Sequence, residues 1–168
     1  KSFMPKLLTT NELRDIQLKG IQWTVRHVYK GSQFYRQRLA EAGIGPESIR
    51  DLDDLQKLPF TTSNDLKDGY PFPLLSVPFE KVVRIHSSSG TTGKRKVLCY
   101  TQKDINDWTT FFARVYEMIQ LTPIDRVQVS VGYGVWTAGI SFQLACEKFG
   151  AMAIPIGPGN IDMQCQFL

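Results

Sequence analysis

Cysteine and histidine are scarce in this sequence of 168 residues, which contains three cysteines and two histidines. The cysteines, Cys99, Cys146 and Cys165, are odd in number and widely spaced, which argues against a disulfide framework and against a zinc motif. We therefore expect no metal site built from side chains of this chain. Free, dispersed cysteines are typical of a reducing compartment, and we predict a cytoplasmic location.

Long apolar runs and dense basic tracts are also missing. No run approaches the roughly 20 apolar residues that span a bilayer, and the first residues, KSFMPKLLTTNEL, lack the apolar centre of a signal peptide. Basic residues outnumber acidic ones by 20 to 16, for a net charge of +4, but they are spread along the whole chain. This charge predicts neither a membrane nor a nucleic-acid partner, and it favours a small anionic ligand.

The first part of the chain has the periodicity of helices. Thr9 and Glu12 form a capping-box pattern, and apolar residues then recur at helical spacing as far as Gly31. A second helix is predicted over residues 32–42, and shorter helical turns over 48–58 and 63–68. The proline-rich stretch YPFPLLSVPF cannot continue a helix. We predict a helical N-terminal segment over residues 1–78 and a partial α/β subdomain over residues 79–168.

The second part changes to short apolar runs that indicate strands. The strands KVVRIH and KVLCY flank a loop, and Thr101 caps the helix that follows. This helix has an apolar stripe that is predicted to cover a sheet, formed by Ile105, Trp108, Phe112, Val115 and Ile119. A strand over 126–131, a helix over 137–149 and a strand over 151–156 predict a βαβ unit with parallel strands. The predicted fold is therefore α/β, with part of a mixed or parallel sheet and flanking helices. Because a further helix starts near the end with no strand after it, we expect a fragment of a larger enzyme.

The loop SSSGTTGK, between the first two strands, has the composition of a phosphate site. Glycine lets the backbone approach a ligand closely, while serine and threonine hydroxyls and a lysine ammonium can surround phosphate oxygens. The spacing of Gly90 and Gly93 does not fit the Walker A pattern, and a strand follows in place of a helix. A polar hairpin tip with nothing bound remains the alternative.

A second candidate segment, VGYGVWTAG, follows the first strand of the βαβ unit, where ligands bind in open α/β sheets. Its two aromatic side chains, Tyr133 and Trp136, could pack against an aromatic ring, or they could be core aromatics at the start of a helix. We interpret His86 as a structural residue at the end of its strand, His27 as a surface residue of the first helix, and Cys99 as a small buried side chain of its strand.

The loop and three further segments, FYRQRLAEAGI, DLDDLQKLPFTTSNDLKDGYPF and VGYGVWTAG, resemble the N-terminal part of phenylacetate–coenzyme A ligases, members of the adenylate-forming superfamily. The resemblance extends in order over nearly the whole chain and implies an incomplete adenylate-forming large domain. Arg95 stands where such loops often have proline, and a phenylalanine is common near Trp136.

The resemblance implies an enzyme that activates an arylacetic acid with MgATP to an acyl-adenylate and then transfers the acyl group to coenzyme A. It implies nucleotide binding by the loop and an acyl pocket lined by the second segment. The implied nucleotide-binding residues are Ser88, Ser89, Gly90, Thr91, Thr92, Gly93 and Lys94. The implied acid-binding residues are Tyr133, Gly134, Trp136, Ala138 and Gly139.

The catalytic lysine of such enzymes lies in a C-terminal domain, so the catalytic residue is unknown here and the fragment alone is expected to be inactive. Two other functions stay open: a noncatalytic module that binds an anion or a protein, and an enzyme that loads a carrier-protein thiol. A homodimer is also left open, as is the identity of the aryl acid.

Overall fold

The computed structural model describes residues 2–68, 70–72, 74–88 and 95–168. These residues form two compact units. One comprises Lys6–Val82 and residues 95–97, and the other contains residues 2–5, 83–88 and 98–168. The domain boundary that we predict between residues 78 and 79 stays a prediction.

The first unit is helical. Its helices are α1 (Thr10–Gly31), α2 (Gln33–Glu41) and α3 (Ser63–Asp68), with single 3₁₀ turns at Asp53–Lys57 and Phe79–Lys81. The predicted capping box at the start of α1 is confirmed, because the Thr9 side chain accepts from the Glu12 N–H and Glu12 accepts from the Thr9 N–H. Ser32 ends α1 and caps α2. Local sequence therefore accounts for both helix boundaries.

Apolar side chains of α1, α2 and the loop after α2 form the core of this unit. Its buried members are Val25, Leu39, Ile44 and Ile49. Arg38 of α2 donates two hydrogen bonds of 2.9 Å to the Asp65 carboxylate in α3, and a third to the Phe60 carbonyl. The Thr62 backbone N–H, and next Arg38, lower the pKa of Asp65 to about 2. This ion pair fixes α3 against α2.

The second unit mixes strands and helices. It contains most of β1 (Val82–Ser87) and β2 (Val97–Thr101), followed by α4 (Gln102–Met118), β3 (Arg126–Gln128), α5 (Ala138–Phe149), β4 (Met152–Ile154) and α6 (Ile161–Gln166). β3 and β4 pair in parallel, with Val127 opposite Ala153, so the predicted βαβ unit is confirmed. Gly150 ends α5 with a φ of +101°, a left-handed conformation that favours glycine.

The predicted α/β class is confirmed, and the described strands form two two-stranded sheets, β1–β2 and β3–β4. β3 is shorter than the run of residues 126–131 that we predict. Val129 still extends the pairing, since its N–H donates to the Ile154 carbonyl and its carbonyl accepts from the Gly157 N–H, both at 2.9 Å. The glycine-rich turn that follows then leaves the sheet direction.

The buried face of α4 differs from the predicted apolar stripe. Ile105 is buried as expected, but Val115 is 45% exposed and Ile119 is 64% exposed. The side chains that are buried are Ile105, Thr109, Ala113 and Tyr116. The prediction that this stripe covers a sheet is wrong in its second half, because α4 packs mainly against α5.

The residues before α1 are held to α4 by polar contacts far apart in sequence. The Phe3 N–H donates to the Glu117 carboxylate at 2.6 Å, and Arg114 Nε donates to the Phe3 carbonyl at 2.8 Å. The Phe3 ring also lies 6.0 Å from the Phe149 ring. Among the helices of the described residues, none is both long and apolar enough to cross a membrane.

Candidate functional site

The predicted phosphate loop begins directly after β1. Ser88 is exposed, and its carbonyl accepts a hydrogen bond of 3.2 Å from the Ser87 hydroxyl. Arg95, before β2, is exposed as well. The other predicted nucleotide-binding residues lie outside the described residues, and their role stays a prediction: Ser89, Gly90, Thr91, Thr92, Gly93 and Lys94.

The second predicted segment forms a connection between β3 and α5 that we call the 132–137 loop. The Gly139 N–H donates to the Gly132 carbonyl at 3.2 Å and closes the base of this loop. Near its tip, the Val135 carbonyl accepts from the Ser87 N–H at 2.9 Å. The fold therefore brings the strand end that leads into the predicted phosphate loop next to the predicted acyl segment.

Close packing at the start of α5 explains two glycines of the segment. A β-carbon on Gly139 would lie 2.6 Å from the Gly132 carbonyl oxygen and 3.0 Å from Cδ2 of Tyr133. Gly134 has a φ of +65°, a backbone conformation that residues with a side chain rarely adopt. Gly139 is buried, so its missing side chain permits the close approach of α5 to the loop, and Ala138 beside it is half-buried.

The two aromatic side chains of the loop differ in exposure. Trp136 is 54% exposed, which speaks against the alternative that it is a core aromatic. Tyr133 is half-buried, and its buried hydroxyl has no hydrogen-bond partner among the described residues. Burial, and next the charge of Glu147, raise the pKa of Tyr133. Tyr133 is thus a neutral, unpaired donor beside α5.

His86, which we interpret as structural, is more unusual than its position in the sequence suggests. Its side chain is 2% exposed, and its ring makes edge contacts with Tyr100 at 5.0 Å and with Trp108 at 5.4 Å. Neither ring nitrogen has a hydrogen-bond partner in the described part of the chain. Burial, and next the charge of Arg84, lower the pKa of this imidazole. In the sequence, the one feature that sets His86 apart is its place directly before the serine-rich loop.

His27 and Cys99 have ordinary surroundings. His27, which we predict on the helix surface, is half-buried and stacks on Trp23 with ring centres 4.6 Å apart. Cys99, which we predict to be buried, is half-buried, and all three cysteines are free. Within residues 2–68, 70–72, 74–88 and 95–168, no group of three potential metal ligands occurs.

Two cavities lie in the helical unit, away from the predicted site residues. An apolar groove of about 510 Å³ beside α1 is lined by residues that include Trp23, Leu52 and Leu55. A polar hollow of about 400 Å³ includes Asp54 and Lys57. The Lys57 ammonium, and next the Arg50 backbone, lower the pKa of Asp54 to about 2. We therefore interpret the ion pair of Asp54 and Lys57 in this hollow as structural.

The fold is found in solved acyl-CoA ligases. Crystal structures of 2-hydroxyisobutyryl-CoA ligase match 95% of this chain at 21–23% identity. One, in the postadenylation state with 2-HIB-AMP, has a TM-score of 0.83, and this chain covers 34% of it. An open conformation with 2-HIB-AMP and CoA has a TM-score of 0.84, with 38% of that chain covered. At this identity the match establishes the fold alone.

Sequence comparison finds relatives of higher identity among the phenylacetate–coenzyme A ligases. The chain is 41% identical over 160 residues to phenylacetate–coenzyme A ligase of Escherichia coli. These residues make up 95% of this chain and 37% of that protein. It is 42% identical to the Pseudomonas putida enzyme, of which it covers 36%, and 36% identical to that of Thermus thermophilus, of which it covers 38%. No family model matches the chain. The chain is therefore a homologue of the phenylacetate–coenzyme A ligases, similar along nearly its whole length to somewhat more than a third of each.

Proposed function

We propose that this chain is part of an AMP-forming ligase that activates an aryl or arylacetic acid and transfers it to coenzyme A. The observation that carries the proposal is the identity of 41% over 95% of the chain to proteins named as phenylacetate–coenzyme A ligases. Since the chain spans only 37% of that relative, we assign the activity to the full-length gene product. ATP, Mg²⁺ and coenzyme A are its proposed co-substrates.

The proposed reaction has two steps. A carboxylate oxygen of the acid attacks the α-phosphorus of MgATP, the bond to the bridging oxygen breaks, and pyrophosphate leaves. The sulfur of coenzyme A then attacks the acyl carbon, its proton is lost, the bond to the AMP oxygen breaks, and a thioester remains. Both steps demand mainly positioning and neutralisation of phosphate charge.

The segment Ser88–Lys94 is proposed to hold the triphosphate. Its hydroxyls and backbone N–H groups can donate to phosphate oxygens, and the Lys94 ammonium can balance charge on the departing pyrophosphate. The exposure of its first residue, Ser88, and of the cationic Arg95 that follows it supports this role. Mg²⁺ prefers phosphate oxygens and water, so it enters as part of the nucleotide substrate.

The 132–137 loop and the start of α5 are proposed to bind the acid. The loop follows the carboxyl end of β3, a parallel strand, which is where open α/β sheets bind ligands. Trp136 offers an exposed aromatic face. Tyr133 lies beside it in the loop, and its buried hydroxyl has no partner among the described residues. Gly134, Ala138 and Gly139 keep bulk away from the turn that presents these two side chains.

The proposal is tested by pyrophosphate release from the full-length gene product with ATP, Mg²⁺ and a panel of aryl acids. Lys94→Ala is expected to slow release at saturating acid, whereas Lys19→Ala, which removes an exposed lysine paired with Asp15 on α1, is expected to change nothing. An unchanged rate in the Lys94 variant would remove that residue from the mechanism. ATP binding without release from any acid would favour a noncatalytic anion-binding module.

The acid site is tested separately by substrate preference. Trp136→Ala is expected to change the order of preference among aryl acids, and Trp23→Ala serves as a control because Trp23 is 61% exposed on α1. The same order of acids in both variants would contradict a role for Trp136. Formation of the CoA thioester, measured in the same assay, separates this function from loading of a carrier-protein thiol. A homodimer and a cytoplasmic location stay predictions.

A further inference from the structure

The side of α1 that faces away from its core carries large apolar side chains. α1 contributes Val25 to the core of the helical unit, and the opposite side of such a helix is ordinarily polar. Here Leu13, Ile16 and Trp23 are 47%, 54% and 61% exposed. Their spacing of three and seven residues places them on one side of the helix, and we call them the α1 stripe. A row of this kind, unlike a single exposed apolar residue, indicates an interaction surface.

The α1 stripe has a hollow beside it. The groove of about 510 Å³ is lined by Trp23 of the stripe and by Leu52 and Leu55 of the chain after α2. Leu55 is itself 52% exposed. His27 stacks on the Trp23 ring and restricts it, so that little side-chain freedom would be lost on binding. A ridge next to a groove can pack against a second copy of itself, because the ridge of each copy can enter the groove of the other.

Two opposite charges lie along the edge of the α1 stripe. Glu12 and Lys30 are both exposed, and the 18 residues between them are five helical turns, so they lie on one line along the helix. Ile16 follows Glu12 by one turn, and Trp23 precedes Lys30 by two, so this line borders the stripe. Lys30 forms no ion pair with the described residues. Glu12 uses only Oε2 in the capping box with Thr9, which leaves Oε1 able to accept.

These charges select a second copy as the occupant. If two α1 helices pack antiparallel about a two-fold axis near the middle of the helix, Glu12 of each copy lies opposite the partner subunit's Lys30. The same symmetry sets the two ion pairs on one edge of the contact and encloses both apolar stripes between them. Within one copy, Glu12 and Lys30 are about 27 Å apart along the helix and cannot pair with each other.

We propose that the α1 stripe and its groove bind a second copy of this chain, with the two α1 helices antiparallel and Glu12 of each copy paired with the partner subunit's Lys30. The inference goes beyond the proposed function, because it names the surface through which the full-length gene product forms the homodimer left open above. It does not depend on the reaction that the protein catalyses.

The test measures the mass of the full-length gene product by sedimentation over a series of concentrations at low salt. Glu12→Lys and Lys30→Glu are made singly and are also mixed in equal amounts. Ile16→Glu places a charge in the centre of the stripe. Lys103→Glu makes the same change of charge as Lys30→Glu on an exposed residue of α4 and serves as the control.

Each single charge variant is expected to raise the Kd of the dimer about tenfold, since both ion pairs become contacts between like charges. The mixture should dimerise as the wild type does, because a Glu12→Lys copy and a Lys30→Glu copy restore both pairs. Ile16→Glu should be monomeric where the wild type is a dimer, and Lys103→Glu should behave as the wild type.

A monomeric wild type would overturn the proposal, whether the stripe stays open or another part of the full-length gene product covers it. A mixture that dimerises no better than the single variants, or a dimer that survives Ile16→Glu, would overturn it as well. If loss of the capping box unfolds Glu12→Lys, Ile16→Glu and Lys30→Glu still decide, because both change exposed side chains. None of these measurements needs catalysis, so their failure is distinct from a failure of the proposed function.

Discussion

Gly139→Ala is the sharpest test of how α5 meets the 132–137 loop. Inside a helix, this change ordinarily stabilises a protein by about 0.5–1 kcal/mol, because alanine loses less backbone entropy on folding. Here the new β-carbon would lie 2.6 Å from the Gly132 carbonyl oxygen, and real β-carbons essentially never come within 3.0 Å of another atom. The obstacle is backbone, which cannot rotate away as a side chain could.

The steric cost therefore outweighs the gain in helix propensity. Overpacking of this kind costs about 1–3 kcal/mol, and weakening the hydrogen bond from Gly139 to Gly132 adds about 1 kcal/mol. After subtraction of the propensity gain, we expect a net loss of about 1–3 kcal/mol in the free energy of unfolding. The displaced loop should also raise KM for the acid.

Urea unfolding of the full-length gene product measures this loss, with Gly20→Ala as the matched control. Gly20 lies within α1, and a β-carbon there would meet nothing within 4 Å, so this variant should gain about 0.5–1 kcal/mol. Opposite signs for the two variants are the expected result. Equal stabilisation by both would refute the close packing of α5 on the loop.

Three further outcomes are expected from the same unfolding measurement. Gly31→Ala should lower stability by more than about 2 kcal/mol, because its β-carbon would lie 1.9 Å from the Ser76 carbonyl oxygen; wild-type stability would contradict that contact. Tyr116→Phe should cost about 1 kcal/mol through loss of the 2.9 Å hydrogen bond to the Phe142 carbonyl, and a neutral result would show that the bond contributes nothing. The Asp65 carboxylate, whose pKa is lowered from 3.8 to about 2 in the folded chain, contributes stability that is complete above about pH 3.8 and is lost as the pH falls towards 2. Asp65→Asn should therefore flatten the fall of the urea midpoint over that range, and an unchanged slope would argue against the ion pair.

Local patterns predicted the elements of this chain well. The capping boxes at Thr9 and Thr101 depend on a residue and its neighbour three positions on, and both are confirmed. The parallel βαβ unit is confirmed for a similar reason, since a strand, a helix and a strand with short connections can pair in few ways. The resemblance to phenylacetate–coenzyme A ligases, which came from the order of four segments, is also confirmed.

Predictions that needed knowledge of distant neighbours succeeded less often. The apolar stripe continues through Val115 and on to Ile119, just after α4, yet both are exposed. The contacts of α4 with α5, far along the chain, are made by Phe112 and Tyr116 instead. The Phe3 contacts with Arg114 and Glu117 join residues more than 100 positions apart. Helical periodicity shows that a helix has an apolar side, but it does not show which part of that side another element will cover.

The sequence by itself determined where the helices and strands begin, which chemistry the loop after β1 can offer, and to which enzymes the chain is related. These properties depend on neighbours within a few positions or on residue order, and both can be read along a chain. Only the tertiary structure decided that Ser87 meets Val135, that Gly139 must lack a side chain, and that His86 is buried among aromatic rings with no hydrogen-bond partner in the described part of the chain. Each of these is a contact between segments about 7 to 50 residues apart, and such contacts exist only after the chain has folded back on itself.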